Sequence, residues 1–310
     1  MIENTITFNS SDTQLAGTVC LPAENGAFPC VLMIQGSGLL DRDENTPHLK
    51  IDAFNTIAHH LAEKGIASLR YDKRGCGKSG GSFDSTGFYD LVQDGMSAYR
   101  FLTAHNHINK DKIFLLGHSE GSMIAPKVYL SYPDIAGLIL LGVQAKRLED
   151  GLKYQAKIIL DDVNKGKGFA RFINRLMWKI LRYDPIKTQQ VIFEKAKNID
   201  KDTFRYKGQK INAKWLREHI EYDPKYTMRN VNCPILAITG DKDIQVDPQD
   251  AVLVAELAKG PVEYHILSNM THILRPDDGP PSIFNYKRLL KQGVDKRLLE
   301  LIHNWLQKQL

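Results

Sequence analysis

No stretch of this 310-residue chain stays apolar for the roughly twenty residues that a membrane-spanning helix needs. The first ten residues are polar and hold no apolar core of the kind a secretory leader carries, so a cytoplasmic location is expected. Cysteine is scarce. Cys20, Cys30, Cys76 and Cys233 are scattered, without the close spacing of a metal ligand set, so reduced thiols and no metal are expected. Charge of one sign is only in slight excess: 41 Lys and Arg against 36 Asp and Glu leave +5 with histidine neutral. That argues weakly for anionic surfaces and makes no case for nucleic acid. Internal repeats and low-complexity tracts are absent as well. What is there, 43% hydrophobic and 25% charged residues, is the make-up of a globular protein. The length suits one large domain with an insertion, or two domains.

Along the chain, residues 5–8 and 14–21 alternate about a polar turn and read as an antiparallel pair. Near-continuous apolar runs at 28–34, 66–71, 113–116, 135–141, 233–239 and 262–267 read as buried strands. Helical spacing appears between them, at 51–64, 88–103, 123–130 and 251–257, and again at 294–306. Strands alternating with helices imply right-handed crossovers and an α/β fold, a mostly parallel doubly wound sheet. The texture changes at 144–230, which is basic and helical without a strand-like run. This stretch reads as an inserted helical cap, with the core formed by 1–143 and 231–310. Within it, 169–182 is amphipathic with Lys and Arg on its polar face. Such a helix can touch a membrane or an acidic partner; a lid face packed over the sheet is the simpler reading.

The pattern G-x-S-x-G occurs twice. Gly77–Gly81 lies in a Gly/Ser-rich stretch with no helix after it and reads as loop. A phosphate loop there would need glycine at position 72, which is Asp72. Gly117-His118-Ser119-Glu120-Gly121 falls between a buried strand and a helix, the setting of a nucleophile elbow. A serine hydroxyl is a weak nucleophile, so Ser119 needs a base, and the base an orienting group. In a doubly wound sheet all three rise from the carboxyl ends of strands. His272 follows the last strand. His118 lies inside the elbow and is expected to point away, His265 lies in a strand, and most others fall in helices. Asp241, Asp243 and Asp247 follow the strand at 233–239. Asp243 is far enough into the loop to turn back toward His272, whereas Asp241 suits local backbone N–H groups. An oxyanion would be met by the N–H of Glu120 and by that of Ser37, with Gly38 second. The Glu120 side chain is expected to turn inward and be hydrogen-bonded. Arg42 and Arg275 are expected in surface salt bridges.

Together, Gln35-Gly-Ser-Gly38 with Asp41-Arg-Asp43, Leu69-Arg-Tyr-Asp-Lys-Arg-Gly75, Gly117–Gly121, Gly240-Asp-Lys-Asp243 and His272 carry a family resemblance. The chain resembles the α/β-hydrolase superfamily, most closely bacterial carboxylesterase-like serine hydrolases of the prolyl-oligopeptidase/dienelactone-hydrolase kind. The His-Gly that often opens the oxyanion loop in such proteins is Gln35-Gly36 here. The resemblance implies a Ser119, Asp243, His272 triad acting without cofactor on a small-molecule ester. The same triad could serve a lactone or macrolide, a thioester or a peptide bond. The rival of another class is a catalytically silent hydrolase fold that only binds.

Overall fold

The computed structural model describes residues 1–310 apart from 167–168 and 181–183; residues 169–171, 174, 179 and 180 are described by backbone alone. Eight strands form one sheet. β1 (Ile2–Ser10) and β2 (Thr13–Leu21) pair antiparallel at its edge, then β3 (Phe28–Ile34), α1 (Ala53–Glu63), β4 (Ala67–Tyr71), α2 (Phe88–Thr103), β5 (Ile108–His118), α3 (Gly121–Tyr129) and β6 (Gly137–Leu141) follow. The chain leaves the sheet through α4 (Leu148–Lys165), α5 (Phe169–Ile180), α6 (Pro185–Lys197), the hairpin β7 (Thr203–Tyr206) and β8 (Gln209–Asn212), α7 (Ala213–Glu221) and α8 (Pro224–Met228). It returns in β9 (Ile235–Gly240), α9 (Asp250–Leu257), β10 (Val262–Leu267), α10 (Tyr286–Leu289) and α11 (Lys296–Gln309). The strand order is β1-β2-β4-β3-β5-β6-β9-β10, and from β4 to β10 every neighbour is parallel. This is the mostly parallel, doubly wound α/β-hydrolase fold expected above.

Local chemistry accounts for the layers. β3 reads Phe-Pro-Cys-Val-Leu-Met-Ile and buries its last five residues completely, as a strand covered on both faces must. α1 buries Ala53, Phe54, Ile57, Ala58, Leu61 and Ala62 on one stripe and is followed by Gly65 at φ 81°, a conformation glycine adopts without strain. α1 and α11 cover one face of the sheet; α2, α3 and α9 cover the other. Because β3, β5, β6, β9 and β10 run parallel, the loops after them gather at one end of the sheet.

The stretch between β6 and β9 departs from the sequence reading in two places. It contains the hairpin β7–β8, whose turn residues Lys207 and Gly208 have φ of 47° and 82°. Its strands are four residues long and bury one side chain, Phe204, too little to stand out as apolar runs. Nor do the described apolar side chains at 172, 173, 176 and 177 of α5 pack onto the sheet. Phe172, Ile173, Leu176 and Met177 are exposed, because the apolar cluster here is built from α4, α6, α7 and the hairpin, through Leu148, Phe193, Phe204 and Leu216. Among the described residues no helix is long and apolar enough to cross a membrane.

Candidate active site

Ser119 sits where β5 passes into α3, with φ 54°. A left-handed backbone at a residue with a side chain costs on the order of 1–3 kcal/mol and persists only where its surroundings enforce it. Here the flanking glycines let the backbone close in around it. A Cβ on Gly117 would lie 2.1 Å from the carbonyl oxygen of Gly121, and one on Gly121 would lie 2.1 Å from that of Ile34. The Ser119 N–H donates to Leu141 O at 2.9 Å, anchoring the turn to β6.

His272, in the loop after β10, meets Asp243, in the loop after β9: Nδ1 lies 2.7 Å from Oδ2, and both side chains are buried. The other Asp243 oxygen accepts the N–H groups of Gln245 and Val246 at 2.8 and 3.0 Å. The carboxylate is thereby held in one orientation. Asp241 instead accepts the Asn269 N–H at 2.7 Å, and Asp247 pairs with Lys146. Ser79, from the discarded motif, donates to Asp72 O and accepts from Ala16 N–H, a structural role.

Ser119 and His272 both line a cavity of about 190 Å³, whose apolar wall includes Leu40, Leu49, Ile51 and Ile273. A second space of about 80 Å³ shares Ser37 and Ser119 with it and is walled by Leu148, Leu152 and Trp215 of α4 and α7. Among the described residues no hydrogen bond is found for the Ser119 hydroxyl or from the N–H groups of Ser37 and Glu120. Catalytic hydrogen bonds in unliganded sites are commonly long and close on substrate.

Several residues around this centre had no role in the sequence reading. His118 lines the same cavity as Ser119 and is not idle. Its ring stacks against that of His272, with centroids 4.9 Å apart, and its Nε2 donates to the His272 carbonyl at 3.0 Å. Its Nδ1 lies 2.8 Å from Glu44 Oε1, which also accepts the Gly36 N–H at 3.0 Å. Glu44 and His118 are far apart in sequence, and only the cluster of acids at 41–44 hints at the pair. Gln35, which stands in place of the histidine that often opens this loop in the resembling family, is buried and donates to the carbonyl of Tyr71, so it braces the loop before Ser37. The Glu120 side chain does point inward, between Lys73, Trp215 and His219. Arg42 forms a two-pronged, mostly buried pair with Asp72, not a surface bridge. Arg275 has no acidic partner among the described residues; it is buried and donates to the carbonyls of Ile51, Ile273 and Gln292, which would otherwise go unpaired.

The Glu44–His118 pair carries a pH signature. Burial alone would raise Glu44, but the His118 charge and hydrogen bond outweigh it and hold the carboxyl below its ordinary 4.5. Burial alone would lower His118, yet Glu44 outweighs it and raises the imidazole above 6.5. Stability from the carboxylate is present above about 4.5 and lost as pH falls through its lowered value. Stability from the imidazolium is present below about 6.5 and lost as pH rises through its raised value. The Tm difference between the wild type and a Glu44→Gln/His118→Asn double variant is therefore expected to peak between pH 4.5 and 6.5 and to shrink on either side. A difference flat from pH 3 to 9 would rule out a charged pair.

Sheet order, elbow and loop placement together define an α/β hydrolase. Comparison with known proteins gives the family: residues 48–278 match the one described as serine aminopeptidase, S33, and the chain belongs to it. Over 308 residues the chain is 27% identical to Esterase EstD of Thermotoga maritima, covering 99% of this chain and 68% of that protein. Among solved structures it is similar to Est1E from Butyrivibrio proteoclasticus with bound ferulic acid, at TM-score 0.64, 17% identity and 98% of both chains. It is also similar to a proline iminopeptidase of Mycobacterium smegmatis, at TM-score 0.62, 13% identity, and 99% and 98% of the two chains. At such identities these two likenesses speak for the fold alone.

Proposed function

We propose that this protein is a serine hydrolase cleaving carboxylic esters, with Ser119 as nucleophile, His272 as base and Asp243 as its orienting acid. The observation that carries the reading is the 2.7 Å His272–Asp243 contact, in the same cavity as a serine held on a left-handed turn. Ser119 Oγ attacks the ester carbonyl while His272 Nε2 takes its proton. The carbonyl oxygen becomes an oxyanion between the N–H groups of Ser37 and Glu120. The tetrahedral species collapses, His272 gives its proton to the leaving alcohol, and an acyl-Ser119 ester remains. Water then attacks that ester with His272 again as base, releasing the acid and restoring the serine.

The likeness to Esterase EstD supports ester over peptide chemistry, and so does the site. An aminopeptidase needs a free carboxylate for the substrate's terminal ammonium. The two glutamates at the cavity are engaged, Glu44 with His118, and Glu120 with Lys73, Trp215 and His219. We assign residues 144–230 as a cap over this site, since α4 and α7 wall its smaller space. The four buried, unpaired cysteines fit a reducing, cytoplasmic setting.

A fluorophosphonate probe labels only an activated serine. Wild-type protein is expected to take one label, mapping to Ser119 by peptide mass, and to lose it after heat denaturation. Folded protein that takes no label would sink the reading and favour a silent binding fold.

A further inference from the structure

The pair Lys73–Glu120 is buried beside the proposed nucleophile, with 3% of each side chain exposed and Nζ 2.6 Å from Oε2. Burying two charges is expensive, and such a pair seldom stabilises a fold better than apolar residues of the same size. Its placement points elsewhere. Lys73 Nζ also donates to the carbonyl of Gly36. That carbonyl and the Ser37 N–H belong to one planar peptide unit, in which the two point in opposite directions. Fixing the carbonyl therefore fixes the direction of the N–H. An ammonium on the carbonyl also polarises the amide and strengthens its N–H as a donor. The Gly36 N–H, on the preceding peptide, is held by Glu44 at 3.0 Å, so Gly36 is gripped from both sides.

The second half of the pair reaches the other donor. Glu120 supplies its own backbone N–H, while its side chain holds Lys73. Its remaining oxygen accepts from Trp215 Nε1 at 2.5 Å and lies 3.1 Å from His219 Nε2, both on α7. Lys73, Glu120 and the cap helix thus form one buried network joining both oxyanion donors.

Building on the proposed serine-hydrolase reading, we propose that Lys73 is a positioning residue that aims and polarises the Gly36–Ser37 peptide, and that Glu120 couples this peptide to the docked cap through Trp215. Lys73 touches no reacting atom and acts through the peptide.

The test compares Lys73→Met, which leaves Glu120 as a buried lone charge, with Lys73→Met/Glu120→Gln, which leaves none. Each is assayed for folding by circular dichroism, for kcat and KM on a p-nitrophenyl ester, and for Kd of a trifluoromethyl ketone. That ketone accepts Ser119 Oγ and places an oxyanion in the hole. Removing a whole oxyanion donor costs roughly 10²- to 10³-fold in kcat, so a misaimed one is expected to cost about 10- to 100-fold. KM should change less than about 3-fold, and ketone affinity should fall in step with kcat. The double variant should show the same loss, with no recovery. A merely structural role would lower Tm but leave kcat and ketone affinity per folded molecule at wild-type values, which would overturn the proposal. If neither variant folds, Trp215→Phe, which spares both charges, reads the same quantities: a parallel, smaller loss of kcat and ketone affinity supports the coupling, and wild-type values overturn it. Wild-type protein labelled by the fluorophosphonate alongside an unimpaired Lys73→Met variant would sink this inference alone. An unlabelled wild type would sink the serine-hydrolase reading itself.

Discussion

Ser119→Ala is expected to lower kcat on a p-nitrophenyl ester by roughly 10⁴-fold or more, and to abolish fluorophosphonate labelling. Folding should be almost untouched. No hydrogen bond to the hydroxyl is found among the described residues, so its loss strands no partner. Alanine keeps the Cβ, so the cost of the left-handed turn at φ 54° is carried over unchanged. The residual rate, from the Ser37 and Glu120 N–H groups and from substrate binding, should remain above that of water. Separating a chemical from a structural effect needs both readings: initial rates per folded molecule, and Tm within a degree or two of wild type. A variant that keeps near-full esterase activity would remove Ser119 from the mechanism. Ser79→Ala serves as the opposite control. Ser79 carries hydrogen bonds to Asp72 O and from Ala16 N–H, so its loss should reduce Tm and leave kcat per folded molecule alone.

Much of the candidate centre was legible in the sequence because the proposed acyl chemistry constrains it twice, by residue type and by position after a parallel strand. That double constraint favoured Ser119 over Ser79; it does not separate the three aspartates after β9, and Asp243 was preferred for its place further into the loop, where it lies 2.7 Å from His272. The sheet was legible for a related reason: strands such as β3 and β9 are buried on both faces and read as unbroken apolar runs. What could not be read depends on partners distant in the chain. Glu44 and His118 meet across 74 residues, and Glu120 and Trp215 across 95. Each of these side chains alone looks like an ordinary polar residue of a loop or helix. Arg275 is another case, since a lone arginine in a loop gives no sign that three backbone carbonyls await it. The hairpin β7–β8 stayed hidden because strands so short are defined by their pairing, not by their burial. The exposure of Phe172, Ile173, Leu176 and Met177 on α5 was not legible because amphipathicity shows that a helix has an apolar side, not which neighbour covers it.

Asp243→Asn should cost kcat about 10³- to 10⁴-fold while leaving the fold nearly intact, for a reason fixed by two backbone groups. One oxygen of Asp243 accepts the N–H groups of Gln245 and Val246. An asparagine must keep its amide oxygen there, because turning the NH₂ toward two N–H donors would strand both. The NH₂ then faces His272 Nδ1, where the aspartate oxygen now lies at 2.7 Å. To accept from it, Nδ1 must give up its proton, and the neutral imidazole becomes the Nε2–H tautomer. The nitrogen that should receive the Ser119 proton is then already protonated, and the imidazolium formed during attack has lost its carboxylate. KM should hold within a few-fold, since neither change touches the apolar cavity wall. Nitrogen-15 NMR of the imidazole would read the tautomer directly. Wild-type turnover in Asp243→Asn, or a larger loss in Asp247→Asn, would move the acid elsewhere. Asp247 pairs with Lys146 and not with a histidine, so its substitution should leave the His272 tautomer, and therefore kcat, close to wild type.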